Sequence, residues 1–179
     1  MKYIFTMNFL FLLAACSQEQ TQISDNKKQK DLPDSIAIDM SDIAIIPLDS
    51  SNNWAVKNEQ PAVLSTQELA EIDSLLSACL SKYNIEQEKK LEQLKAKHPT
   101  HNFKTEDYVI NLPNYKRQYI ATLNNKGEKE VWVNCFCSTP RNDWNKEIIM
   151  VKDGGNCYFN LTINLSTNQC LNFMVNGEA

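Results

Sequence analysis

Apolar residues recur at helical spacing in the middle of the chain. The positions that lie three or four residues apart are Leu69, Ile72, Leu76, Cys79, Leu80 and Tyr83. Just before them, Ser65 and Glu68 have the spacing of a capping box, in which two side chains satisfy free amides of the first helical turn. We therefore predict a helix over 66–83, followed by a charged, solvated helical continuation over 85–97 that ends before Pro99.

From residue 108 onward the apolar positions alternate, which is the period of a β-strand. The alternation and the turn residues between its runs predict strands over 115–123, 128–137 and 157–165, and a last strand through 171–175. These elements predict an α+β fold, in which an N-terminal helix packs on a four-stranded antiparallel sheet as a cystatin-like sandwich. Residues 36–46 are expected to add one extended strand or a docked ribbon.

The start of the chain has the pattern of a secretion signal. An apolar run over 3–13 follows Lys2, and it is about half as long as the roughly 20 residues that span a bilayer. Leu13-Ala14-Ala15-Cys16 closes this run and resembles the lipobox of bacterial lipoproteins. The resemblance implies cleavage before Cys16 and lipidation of its thiol, with palmitate and other acyl chains holding the mature protein on a membrane.

Composition divides the chain into four parts. Residues 1–15 are interpreted as the signal peptide, and the polar residues 16–35 as a disordered tether. Residues 36–61 are expected to form an extended ribbon and a loop, and residues 62–179 a single α+β domain.

The end of the chain carries a second resemblance. Segments 153–159 (DGGNCYF) and 176–179 (NGEA) are similar to a group of small uncharacterised lipoproteins of Bacteroidetes-type bacteria. The resemblance implies an address in the cell envelope, on the outer membrane, and it implies no catalytic residue.

Charge and motifs narrow the function classes. The net charge is only −4, and basic residues are scattered among acidic ones, so nucleic acid is not an expected partner. The sequence has no nucleophile elbow, no phosphate-binding glycine loop and no zinc-protease helix. We therefore expect a non-enzymatic protein without a cofactor.

Five cysteines remain besides Cys16. Cys135 and Cys137 lie on one predicted strand, and Cys157 begins the next, so either of the first two could form a cross-strand disulfide with Cys157 in an oxidising compartment. Cys79 is expected to be a buried thiol on the inner helix face. Cys170 falls on the alternation opposite to Leu171 and to the other inward residues of the last strand.

An alternative for these cysteines is a metal or redox site. Cys135 and Cys137, together with His98 and His101, offer the thiolate and imidazole ligands that zinc and copper prefer. The spacing of the cysteines is not that of zinc sites, and Pro99 interrupts any helix that would align the histidines. We therefore expect no metal.

The outward face of the predicted sheet carries aromatic and amide side chains suited to binding a peptide or a glycan. They are Trp132, Phe136, Tyr158, Asn134 and Asn160. The alternative is that residues 36–46 or Trp54 cover these aromatics as a second small core.

Together these features predict a membrane-anchored envelope lipoprotein whose domain binds an envelope protein or a glycan. The alternative function is a thiol- or metal-handling protein that uses Cys135, Cys137 and Cys157.

Overall fold

The computed structural model describes residues 39–56 and 60–177, which belong to one compact unit. Within these ranges the chain forms one α-helix and a six-stranded sheet, so the predicted α+β class is confirmed. The predicted signal peptide, the tether and Cys16 lie outside the described residues.

The sheet is mixed. Its strands are β1 (Ile43–Ile45), β2 (Gln60–Pro61), β3 (Lys116–Leu123), β4 (Lys129–Phe136), β5 (Tyr158–Asn164) and β6 (Gln169–Val175). Their order is β1-β3-β4-β5-β6, with β2 pairing with β3 beside β1. Strand β1 runs parallel to β3, whereas every other pairing is antiparallel.

The predictions of a four-stranded sheet and of an N-terminal helix are wrong. Strands β3 to β6 form the expected antiparallel meander, but β1 and β2 precede the helix and extend the sheet to six strands. Strand β1 lies within the extended segment expected over 36–46, which was not counted as part of the four-stranded sheet. Strand β2 has only 2 residues, and an alternation of period two cannot be recognised over so few positions.

Helix α1 (Thr66–Lys97) combines the predicted helix and its predicted continuation. Ser65 caps it as expected: its hydroxyl accepts a hydrogen bond from the Glu68 amide at 3.2 Å, and the Glu68 carboxylate accepts one from the Ser65 amide at 2.8 Å. The buried face of the helix has the predicted spacing, with Leu69, Ile72, Leu76, Leu80 and Leu91.

The main core lies between α1 and the sheet. Its sheet residues alternate along β3, β4 and β5 and include Tyr119, Ala121, Val131, Val133, Cys135, Phe159, Leu161 and Ile163. A second, smaller core covers the opposite face of the sheet with Ala44, Ile46, Val56, Ile120 and Trp132.

The edge strand β6 contains a bulge. Asn160 pairs with Met174, but Thr162 pairs with Leu171, so β6 contains one residue more than β5 between these two pairs. Asn172 lies in the bulge with φ +54°, a left-handed backbone that asparagine tolerates better than most residues.

Candidate functional site

The sheet face proposed as a binding surface is covered. Trp132 is 7% exposed and Phe136 is 1% exposed. The Trp54 ring packs edge-on against Trp132 with centroids 6.0 Å apart, and the Trp144 ring packs in the same way against Phe136 at 6.1 Å. Of the two interpretations of this face, the structure therefore favours the covered one, in which Trp54 and residues such as Ala44 and Ile46 pack over the aromatics.

The polar residues of that face are also engaged. Asn134 is buried, and its amide nitrogen donates to Gln118 Oε1 at 3.0 Å and to the Ile149 carbonyl at 2.8 Å. Tyr158 is half-buried, and its hydroxyl donates to the Ser138 carbonyl at 3.2 Å. Asn160 is half-buried beside the β6 bulge. The Asn134 amide and the Tyr158 hydroxyl fix loops to the sheet instead of presenting a surface.

Of the two alternatives for Cys157, the structure pairs it with Cys137. The two Cα atoms are 5.0 Å apart, at the ends of β5 and β4. Cys135 is a free, fully buried thiol, and burial raises its pKa well above the usual range, which keeps it protonated. The two sulfurs in the disulfide are not thiolate ligands while it is closed.

A second disulfide was not expected. Cys79 on α1 is bonded to Cys170 on β6, with Cα atoms 6.5 Å apart, so the expectation that Cys79 is a free thiol is wrong. This bond joins the helix to the edge strand across 91 residues of sequence.

The candidate metal ligands do not converge. His98 and His101 lie beside the Phe103 ring, with centroids 6.4 and 4.3 Å away, whereas Cys135 is in the main core and Cys137 is in a disulfide. Among the described residues, no group of three or more His, Cys, Asp or Glu side chains is placed to hold a metal ion.

Two adjoining depressions, which we call the double cleft, lie where the loop after α1 meets the turn before β5. Each has a volume of about 470 Å³, and Asp107, Tyr108, Gly155 and Asn156 line both and form a common wall. The helix-side cleft is completed by Tyr83, Gln87, Lys90, Leu94, Val175 and Asn176. The loop-side cleft is completed by His101, Asn102, Phe103 and Gly154.

Hydrogen bonds to α1 hold the loop of the double cleft in place. The helix ends at His98, because Pro99 cannot continue it. The Asn84 side chain then binds the far end of the loop twice: its nitrogen donates to the Ile110 carbonyl at 2.8 Å, and its oxygen accepts from the Ile110 amide at 2.9 Å. A single helical side chain thus fixes the loop backbone.

The turn on the other side of the double cleft is held equally firmly. Gly154 has φ +93°, and a Cβ there would lie 2.8 Å from the Tyr158 ring, so this position requires glycine. The Asn156 amide nitrogen donates to the Glu106 carbonyl at 2.9 Å, which joins the turn to the loop. The Tyr115 hydroxyl donates to the Asn156 carbonyl at 2.9 Å, and the disulfide of Cys157 follows directly.

A row of rings lines the loop side of the double cleft. His101 and Phe103 have centroids 4.3 Å apart, and Phe103 and Tyr108 lie edge-to-face at 6.3 Å. Phe103 and Tyr108 are half-buried, and neither belongs to the two hydrophobic cores. The arrangement offers ring faces and amide groups to a ligand.

The double cleft was not predicted from the sequence, because no helix or strand was predicted between Pro99 and the strand at 115–123. The one available signal was the presence of Phe103 and Tyr108 in a polar loop, since binding residues often lie on loops held by a rigid scaffold.

Comparisons of this chain with protein-family models, with curated proteins and with solved structures give no match.

Proposed function

We propose that the protein is a bacterial envelope lipoprotein, anchored in the outer membrane by lipid on Cys16, whose folded domain binds a ligand and catalyses no reaction. The observation that carries the proposal is the position of Cys16, directly after an apolar run and the residues Leu13-Ala14-Ala15. Small residues before the cysteine give a signal peptidase access, and the thiol accepts the lipid.

The disulfides support an address outside the cytoplasm. Cys79–Cys170 and Cys137–Cys157 are both bonded, and such bonds persist in oxidising compartments such as the periplasm or the cell surface. Within the described part of the chain, no helix has the length and apolar character needed to cross a bilayer.

For the binding activity, we replace the covered sheet face with the double cleft as the candidate surface. Its walls combine half-buried rings with amides and come from elements fixed by hydrogen bonds and a disulfide. Preformed concave sites of this kind cost little to order when a ligand binds.

The alternative, a thiol- or metal-handling protein based on Cys135, Cys137 and Cys157, has less support. A redox-active cysteine needs an accessible thiolate, whereas Cys135 is completely buried and its pKa is raised. Cys137 and Cys157 are bonded to each other.

Intact-mass analysis of the processed chain tests the anchor. The expected species begins at Cys16, carries the mass of acyl chains and remains with the membrane until detergent is added. Cys16→Ala should lose both properties, whereas the neighbouring Ser17→Ala should keep them. An unmodified amino terminus in material that washes free without detergent would contradict the proposal.

A further inference from the structure

We infer that the double cleft binds a short, uncharged carbohydrate of at least two sugar units. This inference rests on the proposed function, because it names the ligand class of the same binding domain. The rings of Phe103 and Tyr108 stack on the sugars, and the amides of the walls bind their hydroxyl groups.

The rings beside the double cleft favour a sugar as the ligand. Core aromatics of this domain are almost completely enclosed, as Tyr119 at 0% and Phe159 at 1% exposure show. Phe103 and Tyr108 instead remain only half-buried beside a depression, and Phe103 contacts the rings of both Tyr108 and His101. A ring held in this way presents an apolar face, which complements the C–H face of a sugar.

The amides in the walls of the double cleft are suited to binding the hydroxyl groups of a sugar. A hydroxyl group both donates and accepts hydrogen bonds, and an amide side chain does the same with two separate atoms. The nitrogen of Asn176 donates to the Val151 carbonyl at 2.6 Å, and that of Asn156 donates to the Glu106 carbonyl at 2.9 Å. These bonds fix the direction of each remaining amide oxygen. Asn102 and Gln87 add two more amides to the walls.

The charges of the residues that line the double cleft favour a neutral ligand. The formally charged residues that line the double cleft are Lys90 and Asp107, and their charges cancel. A phosphate or a polyanion would need a group of Arg and Lys side chains, and a cationic ligand would need several carboxylates. The lining therefore favours a neutral ligand that binds through many hydroxyl groups.

Backbone geometry disfavours a peptide. Extended peptides commonly bind by adding a strand to an open sheet edge. Among the described residues, Val175 at the end of β6 is the only strand residue that lines the double cleft, so these residues offer no strand edge along which a peptide could pair there.

The size and division of the double cleft set the length of the ligand. Each part, at about 470 Å³, is within the usual range for small-molecule sites, and Tyr108 and Asn156 stand in the wall between them. A single sugar would occupy only one part, whereas a linked pair can contact both sides of that wall.

The test measures binding of defined oligosaccharides to the full processed chain in detergent. The probes are neutral oligomers of glucose, xylose, mannose and N-acetylglucosamine, of two to four units, with uronic-acid oligomers as the charged counterpart. Titration calorimetry should detect at least one neutral oligomer and weaker or no binding of the charged ones. Tyr108→Ala and Phe103→Ala should each weaken that binding by about tenfold.

Three controls separate stacking from loss of structure. Tyr108→Phe keeps the ring and should retain most of the affinity. Trp54→Ala removes a 47% exposed ring that does not line the double cleft, and it should leave the affinity for the sugar unchanged. Asn102→Ala changes an exposed residue of the wall, so it reports on the cleft even where a ring variant fails to fold.

Failure to bind any neutral oligomer overturns the carbohydrate inference, and so does unchanged binding by Tyr108→Ala, Phe103→Ala and Asn102→Ala. Crosslinking in intact cells separates this failure from that of the proposed function. Capture of an envelope protein that is lost in Tyr108→Ala would retain the binding module with a different ligand. Absence of both sugar binding and cleft-dependent capture would remove the proposed binding activity as well.

Discussion

The two faces of the sheet are covered in different ways. On one face, α1 packs apolar side chains such as Leu76 against Val133 and Leu161, all of them 0% exposed. On the other face, loops from both sides of the domain cover a smaller apolar cluster around Ile120 and Trp132. The first layer is an ordinary helix-on-sheet core, whereas the second depends on polar contacts as well.

Gln118 is the centre of the polar contacts on the loop-covered face. Its side chain is 0% exposed, and its nitrogen donates to the carbonyls of Trp144 and of Glu147, the latter at 2.7 Å. Its oxygen accepts from Asn134 at 3.0 Å and from the Ile149 amide at 2.9 Å. One buried amide therefore satisfies three loop backbone groups. The difference between the two faces shows that irregular backbone can be packed on a sheet only when side chains supply partners for its polar groups.

The largest expected effect concerns the helix-covered face, which is also closed covalently. Replacing Cys79 and Cys170 by alanine opens a loop of 91 residues, which should lower the free energy of unfolding by about 4–5 kcal/mol through chain entropy. The same change at Cys137 and Cys157 opens 20 residues and should cost about 3 kcal/mol. Urea unfolding of the processed chain measures both; equal losses would contradict the importance of loop length.

An intermediate loss of stability is expected when a polar contact of the loop-covered face is removed. Gln118→Met keeps the volume but leaves the three loop groups and Asn134 without their partner, so stability should fall by about 1–3 kcal/mol. Hydrogen exchange should accelerate first at the Ile149 amide, which donates to Gln118. Val133→Ala is the control on the helix-covered face, and it should lower global stability without selective exchange at Ile149.

The smallest effect concerns an ion pair at the margin of the helix-covered face. Lys129 donates to Glu68 Oε1 at 2.6 Å, and this contact together with the Ser65 amide lowers the pKa of Glu68 below its ordinary value of 4.5. Because the folded pKa is the lower one, the stabilisation is present above pH 4.5 and is lost as the pH falls through the folded pKa. The pair is partly exposed, so we expect about 1 kcal/mol or less.

Unfolding curves between pH 3 and 6 measure that contribution. In Glu68→Gln the stability should depend less steeply on pH than in the unchanged chain, because one carboxylate with a perturbed pKa has been removed. An identical pH dependence would show that the pair contributes nothing.

The helix and the hairpin could be predicted from the sequence because local residues specify them. Ser65 and Glu68 determine where α1 begins, and Pro99 determines where it ends. Asn124 and Gly127 form the β3–β4 turn, in which Gly127 has φ +77° and its amide donates to the Asn124 carbonyl at 2.9 Å.

The partner of Cys79 could not be predicted, because a bulge changes the alternation of β6. Phe173 and Val175 pack on the main core at odd positions, but on the other side of Asn172 the inward residue is Cys170, at an even position. A single added residue reverses which side chains face inward, and the sequence pattern alone does not show where it lies.

The covered face and the double cleft were beyond sequence reasoning for a related reason. The contacts of Gln118 with Trp144 and Glu147 span 26 and 29 residues, and that of Asn156 with Glu106 spans 50. Each depends on where the chain returns after long connections, which no local periodicity records.

The bulge in the edge strand β6 also bears on aggregation of the protein. An open, flat row of amides and carbonyls invites the same row of another molecule and so starts fibrous aggregates. In β6 the left-handed backbone at Asn172 breaks this row in the middle. The described β6 edge therefore does not offer a second molecule a continuous row of backbone groups to extend.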